Sequence, residues 1–219
     1  MDKIEILTPL QKKIMGHLFQ DKWFCRFFYL TGGTALSAFY FQHRFSEDLD
    51  FFSHDVELVG IPNLISHIGA QINVSVKRIQ TTPGFMRFLL GEELKLDIVG
   101  DVGFRVGSPV LMENFMVDSL KNIAVNKVGC LLSRLDAKDY VDLYWILKNS
   151  NYDIFELLKL GEQKDGGLEP FIWSSLIADV QSLSTLPRMI KPVTLTEIKK
   201  FFLELRDKIL DHINPKKLR

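Results

Sequence analysis

Apolar positions at Leu10, Ile14 and Leu18 recur every four residues behind Thr8-Pro9-Leu10-Gln11. Thr8 can cap a helix, Pro9 suits its first turn and Gln11 completes a capping box, which predicts a helix from Thr8 to about Cys25. The period then changes. Phe27-Phe28-Tyr29-Leu30 is a continuous apolar run ended by Gly32-Gly33, the pattern of a short buried strand. Ala35, Leu36, Ala38 and Phe39 return to helical spacing over 34–42. A second strand is predicted over 48–52 and another helix over 57–69. Ile72, Val74 and Val76 alternate with polar neighbours. With 85–90 and 94–99, and the turn at Thr82-Pro83-Gly84, they predict a three-stranded antiparallel meander.

From about Ser119 the spacing is helical throughout. Ala124, Val128 and Leu131-Leu132 recur at three and four, as do Tyr140, Leu143, Tyr144 and Leu147. Two more helices are expected within 169–183 and 194–213, set off by Lys164-Asp165-Gly166-Gly167. Strands mixed with helices in front, and helices alone behind, predict an α+β fold with a helical extension. The expected division is a domain over 1–117 and a helical domain over 118–219.

Composition narrows the class. Of 219 residues 47% are apolar and 25% charged, which supports a real core and excludes collagen-like and disordered chains. Lys+Arg and Asp+Glu are both 27, so a strongly basic coat for nucleic acid is excluded, although a local patch is not. Residues 188–219 hold nine Lys/Arg against four Asp/Glu, which leaves the rest of the chain net acidic. Such a tail could hold RNA, or be a solvated final helix that docks the two halves. Cys25 and Cys130 stand outside any C-x-x-C pattern and read as free thiols of a reducing compartment, not a disulfide framework. The chain is charged from its second residue, with no signal-peptide pattern. The uncharged stretch 27–42 is short and broken by Thr31-Gly32-Gly33-Thr34, too polar for a membrane span. A cytoplasmic protein is expected.

The candidate chemistry lies between residues 30 and 50. A strand that ends in Gly32-Gly33 and opens a helix exposes unpaired backbone N–H groups, and glycines let a phosphate approach them. Asp48-Leu49-Asp50 on a strand puts both carboxylates on one face. They repel unless a cation lies between them, and hard oxygens of this kind suit Mg2+. Asp97 interrupts the apolar pattern of Lys95-Leu96-Asp97-Ile98-Val99, and a buried aspartate needs a partner or a metal. Three strand carboxylates beside a glycine cradle would make a two-metal phosphoryl-transfer site. Each piece alone has a plainer reading: a tight turn, a solvated strand edge, a salt-bridged aspartate. Arg44 could contact phosphate or buttress Asp48. His54 and Asp55 suggest a metal pair but lack a further ligand at suitable spacing, and read as surface. Lys127 and Arg134, seven apart, share a helix face that could also be merely solvated.

Gly-Gly-Thr-x-Leu followed by His-Arg-x-Ser-x-Asp-Leu-Asp-Phe resembles the AbiEii/AbiGii toxin family of nucleotidyltransferases, within the DNA polymerase beta-like superfamily. Lys127, the Leu-rich helix to Arg134, and Lys138-Asp139-Tyr-Val-Asp142-Leu are similar to that family's later motif. The resemblance implies a nucleotidyltransferase-like mixed sheet, an active-site cleft completed by the helical domain, and Mg2+ as cofactor. It implies that Gly32, Gly33 and Thr34 hold the NTP, with Arg44, Ser46 and Arg134 also binding nucleotide. Asp48, Asp50 and Asp97 would bind metal and act in catalysis. Lys127 would neutralise phosphate charge, and Asp142 would orient that lysine or the acceptor. Asp139 and Asp142 could equally pair with Lys138, Arg134 or solvent. The implied activity moves an NMP from an NTP to an acceptor hydroxyl, with tRNA the leading acceptor, in a toxin paired with a cognate antitoxin. A non-catalytic module of the same fold and an enzyme that nucleotidylates a protein are the alternatives. Because Val128, Leu131 and Leu132 can press their helix onto the sheet, Lys127 is expected to reach along the cleft wall. Its removal should then cost turnover and spare stability.

Overall fold

The computed structural model describes residues 5–54, 56–101 and 103–214. Of the His54-Asp55 pair, Asp55 and the side chain of His54 lie outside what is described. Residues to Gly103 together with Ser108–Ser119 form one compact unit, and Phe104–Gly107 with the chain from Leu120 onward form another.

In the first unit, α1 spans Pro9–Gln20 behind the Thr8/Gln11 capping box that the sequence predicts. The predicted helix to Cys25 is in fact two helices. Asp21 takes an extended backbone, and its carboxylate accepts from the Phe24 N–H at 2.8 Å, which caps α2 over Lys22–Phe27. A short carboxylate satisfies a helix start better than a helix interior, so it ends one helix and begins the next.

Strand β1, Phe28–Thr31, is buried along its whole length. Gly32, at φ +69, turns it into α3, Gly32–Ala35, which loosens into π-helical turns over Leu36–Phe41 and stops at left-handed Gln42. Strand β2 covers Leu49–His54 and α4 covers Ile61–Ile72. Ile72 belongs to that helix, not to a strand from residue 72. Ile61, Ile65, Ile68 and Ile72 form its buried stripe, and Asn73 in the left-handed region ends it. The meander follows as β3 Val76–Thr82, β4 Phe85–Leu90 and β5 Leu94–Asp101. A hairpin of three-residue strands, β6 Val110–Met112 and β7 Phe115–Val117, is too short to show a period in sequence.

Among the described residues these strands form one mixed sheet in the order β3-β4-β5-β2-β1-β7-β6. β2 runs antiparallel to β1 and parallel to β5, and β7 runs parallel to β1. One face packs on Phe19, Phe24, Phe28 and Phe51, with Phe24 and Phe28 stacked at 4.5 Å. Phe52 points the other way and meets Tyr29. That second face carries the polar residues described below.

The second unit is helical. It contains α5 Leu120–Ser133, α6 Ala137–Asn149, α7 Ile154–Lys164, α8 Pro170–Ile177 with a 3-10 turn to Ser182, and α9 Leu195–Ile213. Its core includes fully buried Trp173, whose indole N–H donates to the Val128 carbonyl at 2.9 Å, and Tyr140 edge-on to Phe202. None of the described helices is long and apolar enough to cross a membrane.

Candidate functional site

The sheet register assembles the polar strip of the first unit. Thr31 lies opposite Asp50, Asp50 opposite Asp97, and Asp97 opposite Arg87. Directly opposed residues share a face, so four side chains from β1, β2, β5 and β4 stand in one row. Asp48 precedes β2 by one residue, outside the strand that was predicted to begin with it, and its charge acts on Arg87 together with those of Asp50 and Asp97.

The approach to the row is held by hydrogen bonds. The Thr34 hydroxyl is 2.8 Å from the Ser46 hydroxyl and donates to the Asp48 carbonyl. The fully buried Gln11 donates from its amide to the Ser46 carbonyl at 3.0 Å. Thus the first turn of α1 and the start of α3 both anchor the loop that delivers Asp48. Ser46, expected to assist a phosphate oxygen, is half-buried and serves this loop. Arg44 is 2% exposed and donates to the Phe45 carbonyl at 2.9 Å. Its guanidinium is turned into the protein.

Gly32 touches the row directly. A Cβ built there would lie 2.5 Å from Oδ2 of Asp50. Glycine is required at this position twice over, by its positive φ and by the carboxylate that occupies the space of a side chain. Gly33 and Thr34 follow it, both buried in α3. On the far side of Thr31, the hydroxyl donates to Oδ2 of buried Asp118 at 2.7 Å, and the Asp118 carbonyl accepts from Tyr40 at 2.6 Å.

Asp97 differs from the sequence expectation in its partner. Arg87 grips it with a two-point fork, Nε to Oδ1 at 2.7 Å and Nη2 to Oδ2 at 2.6 Å. That bond holds the Arg87 guanidinium above its ordinary pKa against partial burial, with the charges of Asp97, Asp48 and Asp50 adding to it. So the three carboxylates and Arg87 lie within electrostatic reach of one another. Among the described residues, however, no three His, Cys, Asp or Glu side chains are grouped closely enough to hold a metal ion. Asp48 and Asp50 supply hard oxygen donors that fit Mg2+, and the glycine at 32 leaves room for the Asp50 carboxylate. Asp97 is committed to Arg87.

The later motif builds a site of its own in the second unit. Lys127, on α5, is only 7% exposed. Its ammonium lies 2.7 Å from Asp139 and 2.6 Å from Asp142, two fully buried carboxylates one turn apart on α6. Arg134 closes on Asp139 at 2.6 Å from the solvent side. Burial pushes the Asp139 carboxyl up, but Lys127 and Arg134 override it and hold it below the usual carboxylate range. The neighbouring Cys130 thiol is pushed up by burial, which makes it a poor nucleophile. Two earlier expectations change. Lys127 is not on a solvated face, and its removal will not spare stability, because it neutralises buried charge. Arg134 meets Asp139, so its first partner is a carboxylate of its own unit.

Arg87, Gln11 and Asp118 are the participants that sequence spacing left out. Arg87 had a usable signal. A hairpin centred on Glu92 pairs residues equidistant from it, and Arg87 and Asp97 each lie five positions away. Gln11 and Asp118 had none, since their partners lie 35 and 87 residues off.

Comparison with known proteins bears on the family and the fold. The family profile described as "Nucleotidyl transferase AbiEii toxin, Type IV TA system" matches residues 13–216. An uncharacterized protein of Aquifex aeolicus is 29% identical over 189 residues, covering 81% of this chain and 85% of that one. Among solved structures, a putative nucleotidyltransferase from Helicobacter pylori aligns with a TM-score of 0.61 at 20% identity, over 96% of this chain and 95% of its own. JHP933 from the same species aligns at 0.59 and 22% identity, over 95% and 92%. MenT4, a nucleotidyltransferase toxin of Mycobacterium tuberculosis, aligns at 0.50 and 14% identity, over 96% and 85%.

Proposed function

This chain belongs to the AbiEii nucleotidyl transferase toxin family and is an NTP-dependent nucleotidyltransferase, and on that premise we propose that it moves an NMP from an NTP to a hydroxyl of tRNA. The observation that carries the reading is the row Thr31, Asp50, Asp97 with Gly32 against Asp50. A glycine turn at the head of a helix offers backbone N–H groups to the triphosphate and leaves no side chain in its way. Thr34, Ser46 and Gln11 keep the loop before Asp48 in place, so its carboxylate is positioned before substrate arrives.

Asp48 and Asp50 would hold Mg2+, which when bound neutralises charge on the phosphates and the leaving pyrophosphate. Asp97 is assigned to join them as the third metal ligand and to take the proton of the attacking hydroxyl. Lys127, oriented by Asp142, is assigned to phosphate charge, with Arg134 beside it. The proposed setting is cytoplasmic, with a cognate antitoxin encoded alongside. The experiment is incubation of the protein with each labelled NTP, total tRNA and cell protein. Label in the tRNA band that vanishes in Asp50→Asn supports the reading. Label on protein instead refutes the tRNA acceptor, and no transfer from any NTP to either acceptor refutes the reaction.

A further inference from the structure

The Arg87–Asp97 fork is unexplained by the reaction above, in which Asp97 has to serve the metal and the attacking hydroxyl. We propose that Arg87 gates this carboxylate: it holds Asp97 away from the cation site in the nucleotide-free protein and releases it when Mg2+ and nucleotide bind. The inference rests on the assignment of Asp48 and Asp50 as cation ligands.

Four observations carry it. The fork engages both oxygens of Asp97, at 2.7 and 2.6 Å, and so turns the carboxylate toward β4 and away from Asp50 on β2. Second, the pair is built to open. The Arg87 side chain is 39% exposed and Asp97 is 15% exposed, so the guanidinium has a route to water. Water can replace the hydrogen bonds of a partly exposed fork as it opens, unlike those of the sealed Lys127 pairs of the helical unit. Third, Arg87 has somewhere to go. Phe85, two residues back on β4 and on the same face, already has the guanidinium carbon 5.4 Å from its ring centroid, and a ring face retains a cation that has left its carboxylate. Fourth, the charge balance favours exchange. Asp48, Asp50 and Asp97 all act on Arg87, which stands at one end of their row. A divalent ion among the carboxylates neutralises more of that charge than one guanidinium at the end, and it repels the guanidinium.

Arg87 is thus a positioning residue, and a gate differs from a brace in the sign of its effect on metal affinity. A brace that fixes Asp97 for the metal would weaken metal binding when lost. A gate that withholds Asp97 would strengthen it. The test titrates Mn2+ into the full chain without nucleotide and reads the free ion by electron paramagnetic resonance. Arg87→Gln is expected to bind Mn2+ about fivefold more tightly than wild type, and Arg87→Lys, which keeps the charge but not the fork, to fall between. Unchanged or weaker binding in Arg87→Gln, with wild type binding normally, overturns the gate and leaves the metal assignment standing. No Mn2+ binding by any form overturns both. A second measurement uses the unaltered protein, so it survives a variant that fails to fold. The Arg87 Nε–H resonance, assigned by its loss in Arg87→Lys, should shift and lose protection from solvent exchange when Mg2+ and a non-hydrolysable NTP analogue are added. A resonance unmoved at saturation refutes release.

Discussion

Replacing Lys127 with Met separates a structural charge from a chemical one. The substitution keeps the length of the side chain and removes an ammonium 2.7 Å from Asp139 and 2.6 Å from Asp142, both fully buried. Asp139 keeps Arg134 at 2.6 Å, whereas Asp142 loses its 2.6 Å pair with Lys127. Removing one partner of a buried ion pair costs about 3–5 kcal/mol. For a chain of this length each kcal/mol lowers Tm by about 2–4 °C, which gives a drop of roughly 6–20 °C. The pH dependence supplies the sign. In wild type the Asp139 carboxyl is held low in the folded state, so it stabilises above its unfolded value and that contribution is lost as acid protonates the native carboxylate. In Lys127→Met the Asp139 carboxyl loses one of the two cations that hold it low. The penalty is then greatest at high pH and shrinks as that carboxyl protonates. The gap in Tm between the two proteins should be wider at pH 8 than at pH 5, measured by differential scanning calorimetry. Lys127→Met/Asp142→Leu removes both charges, and it should regain most of the lost Tm while label transfer stays abolished. A single variant that melts within about 2 °C of wild type at pH 8 would refute the claim that this ammonium neutralises buried carboxylate.

Two further perturbations probe the first unit. Gly32→Ala sets a Cβ against Oδ2 of Asp50 at a positive φ, with a backbone cost of about 1–2 kcal/mol. Calorimetry should show NTP affinity falling at least tenfold, and unaltered affinity would remove the glycine cradle from the mechanism. Thr34→Val keeps the shape and deletes the hydroxyl that meets Ser46 and the Asp48 carbonyl. A loss of about 1–3 kcal/mol in chemical denaturation, with faster amide exchange across 45–48, is expected, and exchange at the wild-type rate would show that the loop is held elsewhere.

Much of the architecture was legible because its causes are local. The Thr8/Gln11 capping box is a contact across three residues, and it formed as its letters imply. Gly32-Gly33 marks the end of β1 because a glycine can take the positive φ that turns strand into helix. The alternation of Leu49, Asp50 and Phe51 needs only the pleat of one strand. Where two local signals overlapped, the pattern misled. Ile72 fits both the alternation with Val74 and the four-residue spacing from Ile68, and the helix won because Ile72 completes its buried stripe. Asp21 was lost inside an apolar period that does not register a change of cap.

The partners of the charged residues were decided by tertiary structure. Sequence makes Asp97 an aspartate on a strand and Lys127 a lysine on a helix, and burial makes a partner obligatory for such groups. It does not choose the partner. Register put Arg87, and not a solvent molecule, opposite Asp97. The packing of α5 against α6 brought Lys127 to two carboxylates 12 and 15 positions away and sealed them from water. Charge interactions act through space and steepen as water is excluded, so the same letters describe a solvated face or a buried ion cluster until the chain has closed around them.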